Sequence, residues 1–333
     1  MKKSLKYLVA ATASVVTTAG FAASNLENPL YMPKANEAYV KVGAAMMGKK
    51  VESTAATRTK GSAGNIEVPV WRFTGDLGYG ITDRLDIHGR FGYTNDVPIN
   101  RKGMHRGRIG MMFRALTEQS PIVWDLYADA YLSGVTPMKG TYTPTGFNYE
   151  NYSNGRWGAI FGTRFGKTFN DLTLAAHVEY LQTFGNHNNK IKIDPATGYT
   201  SAPVNFPEEV SVDLKSTSEW TAGFDTMYQM TQKWSFGLGF EYVEHADNGV
   251  KGIHTEIPNN VYAQGVAKGL LALTDNMKDG WDEYIIKVNA AYQMNDTLQL
   301  APFFEYTFDN GHEQSQNATD YKYEFGVRLN AQF

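Results

Sequence analysis

From Tyr321 to Phe333 the chain alternates without a break. Tyr321, Tyr323, Phe325, Val327, Leu329, Ala331 and Phe333 are apolar or aromatic, and Lys322, Glu324, Gly326, Arg328, Asn330 and Gln332 are polar or glycine. A period of two places the sets on opposite faces of one extended strand. The apolar face needs an apolar neighbour, which only a second protein layer or lipid can supply. The pattern recurs along the chain, as in Trp71, Phe73, Leu77 and Tyr79, in Leu85, Ile87, Phe91 and Tyr93, and in Trp234, Phe236, Leu238, Phe240 and Tyr242. Trp and Tyr fall near the ends of these runs and smaller apolar residues nearer the middle, the pattern expected where strand ends meet a membrane–water boundary.

The other end of the chain narrows the choice. Lys2, Lys3 and Lys6 precede a small, apolar stretch from Tyr7 to Thr18, and Gly20-Phe21-Ala22 offers a cleavage site. This reads as a secretory signal cut after Ala22. No later segment approaches the roughly 18 apolar residues that a spanning helix needs. The cysteine count is 0, so no lipid-bearing thiol follows the signal and no disulfide is available. Removing residues 1–22 takes away three Lys and shifts the formal net charge from −3 to −6. A nucleic-acid binder would carry the opposite sign. The expected organisation is a signal peptide at 1–22, an N-terminal periplasmic segment at 23–36 and an all-β transmembrane barrel at 37–333. For 23–36 the sequence leaves a free tail and an inserted plug both open.

Twelve strands are predicted, at 37–48, 66–81, 84–94, 104–116, 122–134, 154–168, 172–184, 217–230, 234–245, 282–294, 298–309 and 320–333. Short connections alternate with long ones, as in an up-and-down barrel with short periplasmic turns and long extracellular loops. Three short turns share one plan: Tyr79-Gly-Ile-Thr-Asp-Arg, Tyr228-Gln-Met-Thr-Gln-Lys and Tyr292-Gln-Met-Asn-Asp-Thr. They read as hairpins with an aromatic ring before a polar turn.

On these features the chain resembles the Gram-negative outer-membrane β-barrel proteins over the whole mature sequence. The resemblance rests on the terminal strand, where Glu324, Gly326, Leu329, Ala331 and Phe333 fit that family's assembly signal, Ala331 being smaller than usual. It implies recognition by the barrel-assembly machinery and contact with outer-membrane lipid and lipopolysaccharide. Monomer and homo-oligomer both remain open.

Parity then predicts the lumen. A basic wall is expected from Arg72, Arg90, Arg106, Arg108, Arg114 and Arg164, and an acidic wall from Asp225, Glu241, Glu283 and Glu305. If the walls face one another, the field between them orients small hydrophilic solutes in a narrow channel. The alternative is that the same charges pair between neighbouring strands and fill the interior. The chain would then be a non-conducting structural or adhesive protein acting through its loops. A rim hydrolase is the third reading, with His177 and Glu179 inward on one strand and Asp125 and Asp129 without a His beside them in sequence. No catalytic set, cofactor or metal site is expected, although Glu244-His245 and His254 are metal-competent residues. Residues 259–274 have loosely helical apolar spacing, whereas 185–216 reads as a solvated surface loop.

Overall fold

The computed structural model describes residues 25–51, 70–96, 101–132, 139–143, 146–149, 155–185, 189–193, 209–246, 250–254, 280–310 and 319–333. The signal at 1–22 and the expected helix at 259–274 lie outside these residues. The strands in chain order are β1 (Ala38–Val51), β2 (Val70–Thr82), β3 (Leu85–Asp96), β4 (Arg101–Leu116), β5 (Val123–Tyr131), β6 (Lys139–Thr143), β7 (Gly146–Tyr149), β8 (Trp157–Phe169) and β9 (Leu172–Phe184). They continue as β10 (Asn189–Ile193), β11 (Glu209–Leu214), β12 (Ser218–Gln229), β13 (Trp234–His245), β14 (Val250–His254), β15 (Trp281–Gln293), β16 (Leu298–Asn310) and β17 (Thr319–Gln332).

Twelve of these close an antiparallel barrel in the order β1-β17-β16-β15-β13-β12-β9-β8-β5-β4-β3-β2. They are the twelve strands expected from period and turn spacing. The remaining five, β14-β11-β10-β6-β7, form a second sheet from the long connections. Sequence reasoning missed it. Strands of four to six residues carry too few alternations to stand out, and β6 pairs with β10 across a sequence gap that no local pattern reports. Part of the expected surface loop 185–216 is therefore sheet, at β10 and β11.

The barrel's outer surface is apolar. Phe161 and Leu238 are 57% and 61% exposed, and Trp71, Phe73, Phe113, Phe224 and Phe304 also face outward. A soluble protein rarely leaves so much contiguous apolar surface uncovered, so this face is built for lipid. Aromatic contacts gather at both strand ends. Trp234 and Tyr292 lie 4.7 Å apart by ring centroids near the short turns, and Tyr180 and Trp220 lie 4.6 Å apart near the long connections.

The repeated turns share a mechanism. Thr231 Oγ1 accepts from the backbone N–H groups of Lys233 and Trp234, at 3.2 and 3.0 Å. Asn295 Oδ1 does the same for Thr297 and Leu298, both at 2.9 Å. In each, the preceding Gln turns its amide onto the carbonyl two residues on: Gln229 to Thr231 and Gln293 to Asn295, both 2.6 Å. The turn is thus held by side chains that mimic backbone partners.

The third turn has Gly80 in place of that Gln, and the N-terminal segment explains why. Gly80 exchanges backbone bonds with it, Asn36 N–H to Gly80 O at 2.8 Å and Gly80 N–H to Glu37 O at 2.9 Å. A Cβ at Gly80 would lie 1.9 Å from the Lys34 carbonyl oxygen. Residues 25–36 therefore form no free tail: they enter the barrel and touch its wall nearly all the way round. Asn25 donates to Ser235 of β13 at 2.9 Å and Asn28 to Thr173 of β9 at 3.1 Å. Arg114 of β4 donates to the Leu30 carbonyl at 2.6 Å, and Arg164 of β8 to the Tyr31 carbonyl at 3.2 Å. Leu30 packs in a small apolar cluster with Val123 and Ala175. The segment crosses the lumen at the short-turn end.

Gly80→Ala is expected to unseat this crossing while leaving the barrel ladder closed. Limited proteolysis should cut within 25–37 several-fold faster than in the wild type, with the folded barrel's electrophoretic mobility unchanged. Equal cleavage rates would contradict the packing at Gly80.

Candidate functional site: the barrel lumen

Inward positions on the twelve strands carry the polar and charged residues, and they do not stand apart. Asp125, fully buried, receives two cations: Arg114 through Nε at 2.8 Å and Arg164 through Nε at 3.0 Å. Arg114 also pairs with Glu118. Arg108 donates to Glu179 Oε2 at 2.9 Å and lies 3.5 Å from Asp129, while Tyr127 reaches the same Glu179 oxygen at 3.1 Å. Arg90 pairs with Asp76 at 2.5 Å, and Arg72 with Glu324 at 2.6 Å.

The acid-rich side is also cross-linked. His177 lies 3.3 Å from Asp225 and 3.2 Å from Glu241, which Lys287 also pairs. Lys322 holds Glu283 at 2.9 Å, and His245 sits 2.9 Å from Glu219. Glu305 has Lys287 and Glu324 as its register neighbours. Arg106 lies on β4; its side chain is outside the described residues, as is that of His254. Arg84, whose parity on the expected strand 84–94 would also turn it inward, lies exposed in the turn between β2 and β3. Each described arginine of the basic wall thus has a carboxylate partner: Arg90, Arg108, Arg114 and Arg164 meet one on a neighbouring strand, whereas Arg72 reaches Glu324 across β1 and Arg108 also reaches Glu179 farther round the ring.

Sequence reasoning missed one constellation. His88 of β3 stands between Asp86, 2.8 Å from Nδ1, and Asp129, 3.0 Å from Nε2. Asp129 is distant in sequence, and adjacent strands alone bring it there through the β3–β4 and β4–β5 pairings. The only local signal was Asp86-Ile-His88. His177 is held by Asp225 and Glu241 rather than by its near neighbour Glu179. Both rings have both nitrogens engaged by carboxylates, which leaves neither free to accept a proton from a nucleophile.

Space for these contacts comes from small neighbours. A Cβ on Gly162 would lie 2.1 Å from the Tyr127 ring, so glycine there lets the ring lie against β8. Tyr131, Ile160 and Leu181 pack beside it and fill that side of the lumen. What remains open is a cavity of about 610 Å³. It runs from Leu26, Glu27 and Tyr31 of the N-terminal segment past Arg90 and Glu241.

Glu27 is the segment's main anchor. Its side chain is 4% exposed and lies 3.3 Å from Arg328 and 3.8 Å from Lys41. Asn330 donates to it at 2.9 Å. Burial alone would oppose ionisation, but Lys41, Arg328 and the amides of Asn330 and Asn289 together hold its carboxyl below the usual carboxylate range. Burial and then the Glu37 carboxylate push the Tyr31 phenol above its usual range, so Tyr31 stays neutral.

No family model matches the chain, and no curated protein matches it in sequence. Its shape does find solved structures. An outer-membrane channel from Pseudomonas putida F1 superposes with a TM-score of 0.55 at 12% identity, over 96% of this chain and 100% of that one. The fold is that of an outer-membrane β-barrel. At that identity the likeness establishes fold and nothing finer. Two other outer-membrane barrels follow at lower similarity. The NanC porin gives a TM-score of 0.39 at 8% identity, over 85% of this chain and 98% of that one. A mutant of the TodX monoaromatic hydrocarbon channel gives 0.43 at 9% identity, over 92% of each chain.

Two outcomes follow from this outer-membrane barrel's interior. Asp125→Asn leaves Arg114 and Arg164 without their shared anion and should cost about 3–5 kcal/mol, read as a lowered midpoint of denaturant unfolding in micelles. A loss under about 1 kcal/mol would mean that the triad is dispensable. The depressed Glu27 carboxyl stabilises the inserted segment fully above its ordinary value of 4.5 and loses that contribution as pH falls through the folded value. Protection factors over 25–36, taken relative to intrinsic exchange at each pH, should therefore fall as pH drops below the ordinary carboxylate value, and Glu27→Gln should abolish that fall.

Proposed function

We propose that the chain is an outer-membrane channel for passive diffusion of small hydrophilic solutes, with its short-turn end toward the periplasm. The observation that supports this best is the open, charge-lined cavity inside a wall whose outer face is apolar. A barrel serving only as a scaffold could fill that space with side chains, as narrow barrels do. Twelve strands enclose more room than eight, and the polar lining replaces part of a solute's hydration as it passes.

Selectivity in this reading belongs to the charges that remain accessible after pairing. The Arg90 side chain is 54% exposed and that of Asp225 27%, whereas Arg114 at 5% is structural. Arg72, Arg108 and Arg164 line the basic side with Arg90, and Glu241 and Glu305 the acidic side with Asp225, while Glu283 is held by Lys322 outside the cavity lining. Local pairing makes their field short-ranged, and salt screens it beyond about 8 Å. The walls then act at contact distance on a passing solute.

One observation favours the structural or adhesive reading: residues 25–36 cross the lumen. The two readings separate in a planar bilayer. A channel gives steady single-channel conductance, with a reversal potential under a salt gradient that moves toward cations in Arg90→Gln. A silent barrel that is folded by its heat-dependent gel mobility would reject the channel. An unmoved reversal potential in the variant would remove Arg90 from the selectivity wall.

A further inference from the structure

The Glu27 carboxylate occupies a place built mostly by the barrel wall, the segment's own share being the Leu26 carbonyl, which accepts from Lys41 Nζ at 2.6 Å. Its four polar neighbours all come from wall strands: Lys41 on β1, Asn289 on β15, and Arg328 and Asn330 on β17. One oxygen accepts from Asn330 Nδ2 at 2.9 Å and lies 3.8 Å from Lys41 Nζ. The other lies 3.3 Å from Arg328 Nη1 and 3.4 Å from Asn289 Nδ2. Arg328 and Asn330 are positioned by the wall. Asn330 is fully buried and also donates to Gln299 at 3.0 Å, and the Arg328 guanidinium stacks on Phe303 with 4.4 Å to the ring centroid. Arg328 Nε is buried without a hydrogen-bond partner, so the site holds one further unused donor.

Two cations and two amide donors converging on one point match a carboxylate, whose two oxygens accept several hydrogen bonds each. Without an anion the two cations would repel each other at a cost that burial increases. The site is also reachable: Lys41, Asn289 and Arg328 line the lumen cavity together with Glu27.

We propose that Lys41, Asn289, Arg328 and Asn330 form a carboxylate-binding site on the barrel wall, occupied in cis by Glu27, for which a solute carboxylate competes and so releases the crossing segment. The site stands on geometry, while its use by a solute rests on the channel reading above. Because Glu27 is tethered eleven residues before Ala38, the start of β1, its effective concentration is of about millimolar order or higher. A free carboxylate must exceed that concentration to compete in the wild type, and needs far less once Glu27 is removed.

The test is acetate binding to the full-length protein folded in micelles, by calorimetry, with chloride at equal ionic strength as the control. Glu27→Ala should bind acetate saturably and chloride at least about tenfold more weakly. The wild type should show no saturable binding over the same range, and adding Lys41→Met to Glu27→Ala should weaken acetate binding about tenfold. Glu27→Gln keeps the side-chain volume and carries the same test if the Ala variant does not refold. Absence of saturable acetate binding in the variant overturns the proposal, as does equal binding of acetate and chloride. In the bilayer, Glu27→Ala should show a larger open fraction than the wild type. A silent barrel that still binds acetate would retain the site and reject the channel reading, and a conducting barrel that does not bind acetate would do the reverse.

Discussion

Everything in this fold depends on the hydrogen-bond ladder closing on itself. In hydrocarbon an unpaired backbone N–H or C=O costs several kcal/mol, so a sheet crossing lipid cannot keep an open edge. Closure occurs where the first and last strands meet. β1 pairs with β17 from Tyr39 with Gln332 down to Val51 with Thr319, and Ala38 exchanges both backbone bonds with Phe333, at 2.9 and 2.8 Å. The terminal Phe333 is therefore part of the seam. Closure also fixes which residues face inward, because a shift of one residue would turn the charged set into lipid.

That constraint creates the interior's problem. Alternation directs many ionisable side chains into one narrow space, where unpaired charge is costly. The chain neutralises them over short distances. Asp125 serves two arginines, Glu241 serves His177 and Lys287, and His88 spans two aspartates. Such pairs contribute less to net stability than to specificity of arrangement, since each partner needs the other to remain ionised inside the wall. The accessible remainder, with Arg90 foremost, faces the cavity.

The N-terminal segment belongs to the same economy of charge. Its Glu27 neutralises Lys41 and Arg328, and its carbonyls at Leu30 and Tyr31 satisfy Arg114 and Arg164. Few of these contacts are apolar, and their strength depends on protonation and on competing anions.

The twelve barrel strands were legible because period-two alternation and polar turns are local signals, and lipid enforces them on every strand. Tyr228-Gln-Met-Thr and Tyr292-Gln-Met-Asn were legible as one turn for the same reason: the side chains that close it lie within a few residues of it. The inward placement of Arg72, Arg108 and Glu241 followed from parity alone. Their partners did not, because pairing depends on the angle of each side chain and on contacts across strands, as when His88 meets Asp129 or Arg72 meets Glu324. The small sheet formed by β6, β7, β10, β11 and β14 was hidden because its strands are brief and pair at long range. The fate of residues 25–36 was decided only by tertiary structure: nothing in Asn28-Pro-Leu-Tyr-Met-Pro33 marks a plug until closure sets Lys41, Arg328 and Asn330 around Glu27. Sequence by itself determined the membrane-spanning barrel, since burial of one face repeats residue by residue. The contents of that barrel were left to tertiary structure, since opposite walls come together only when the ring is complete.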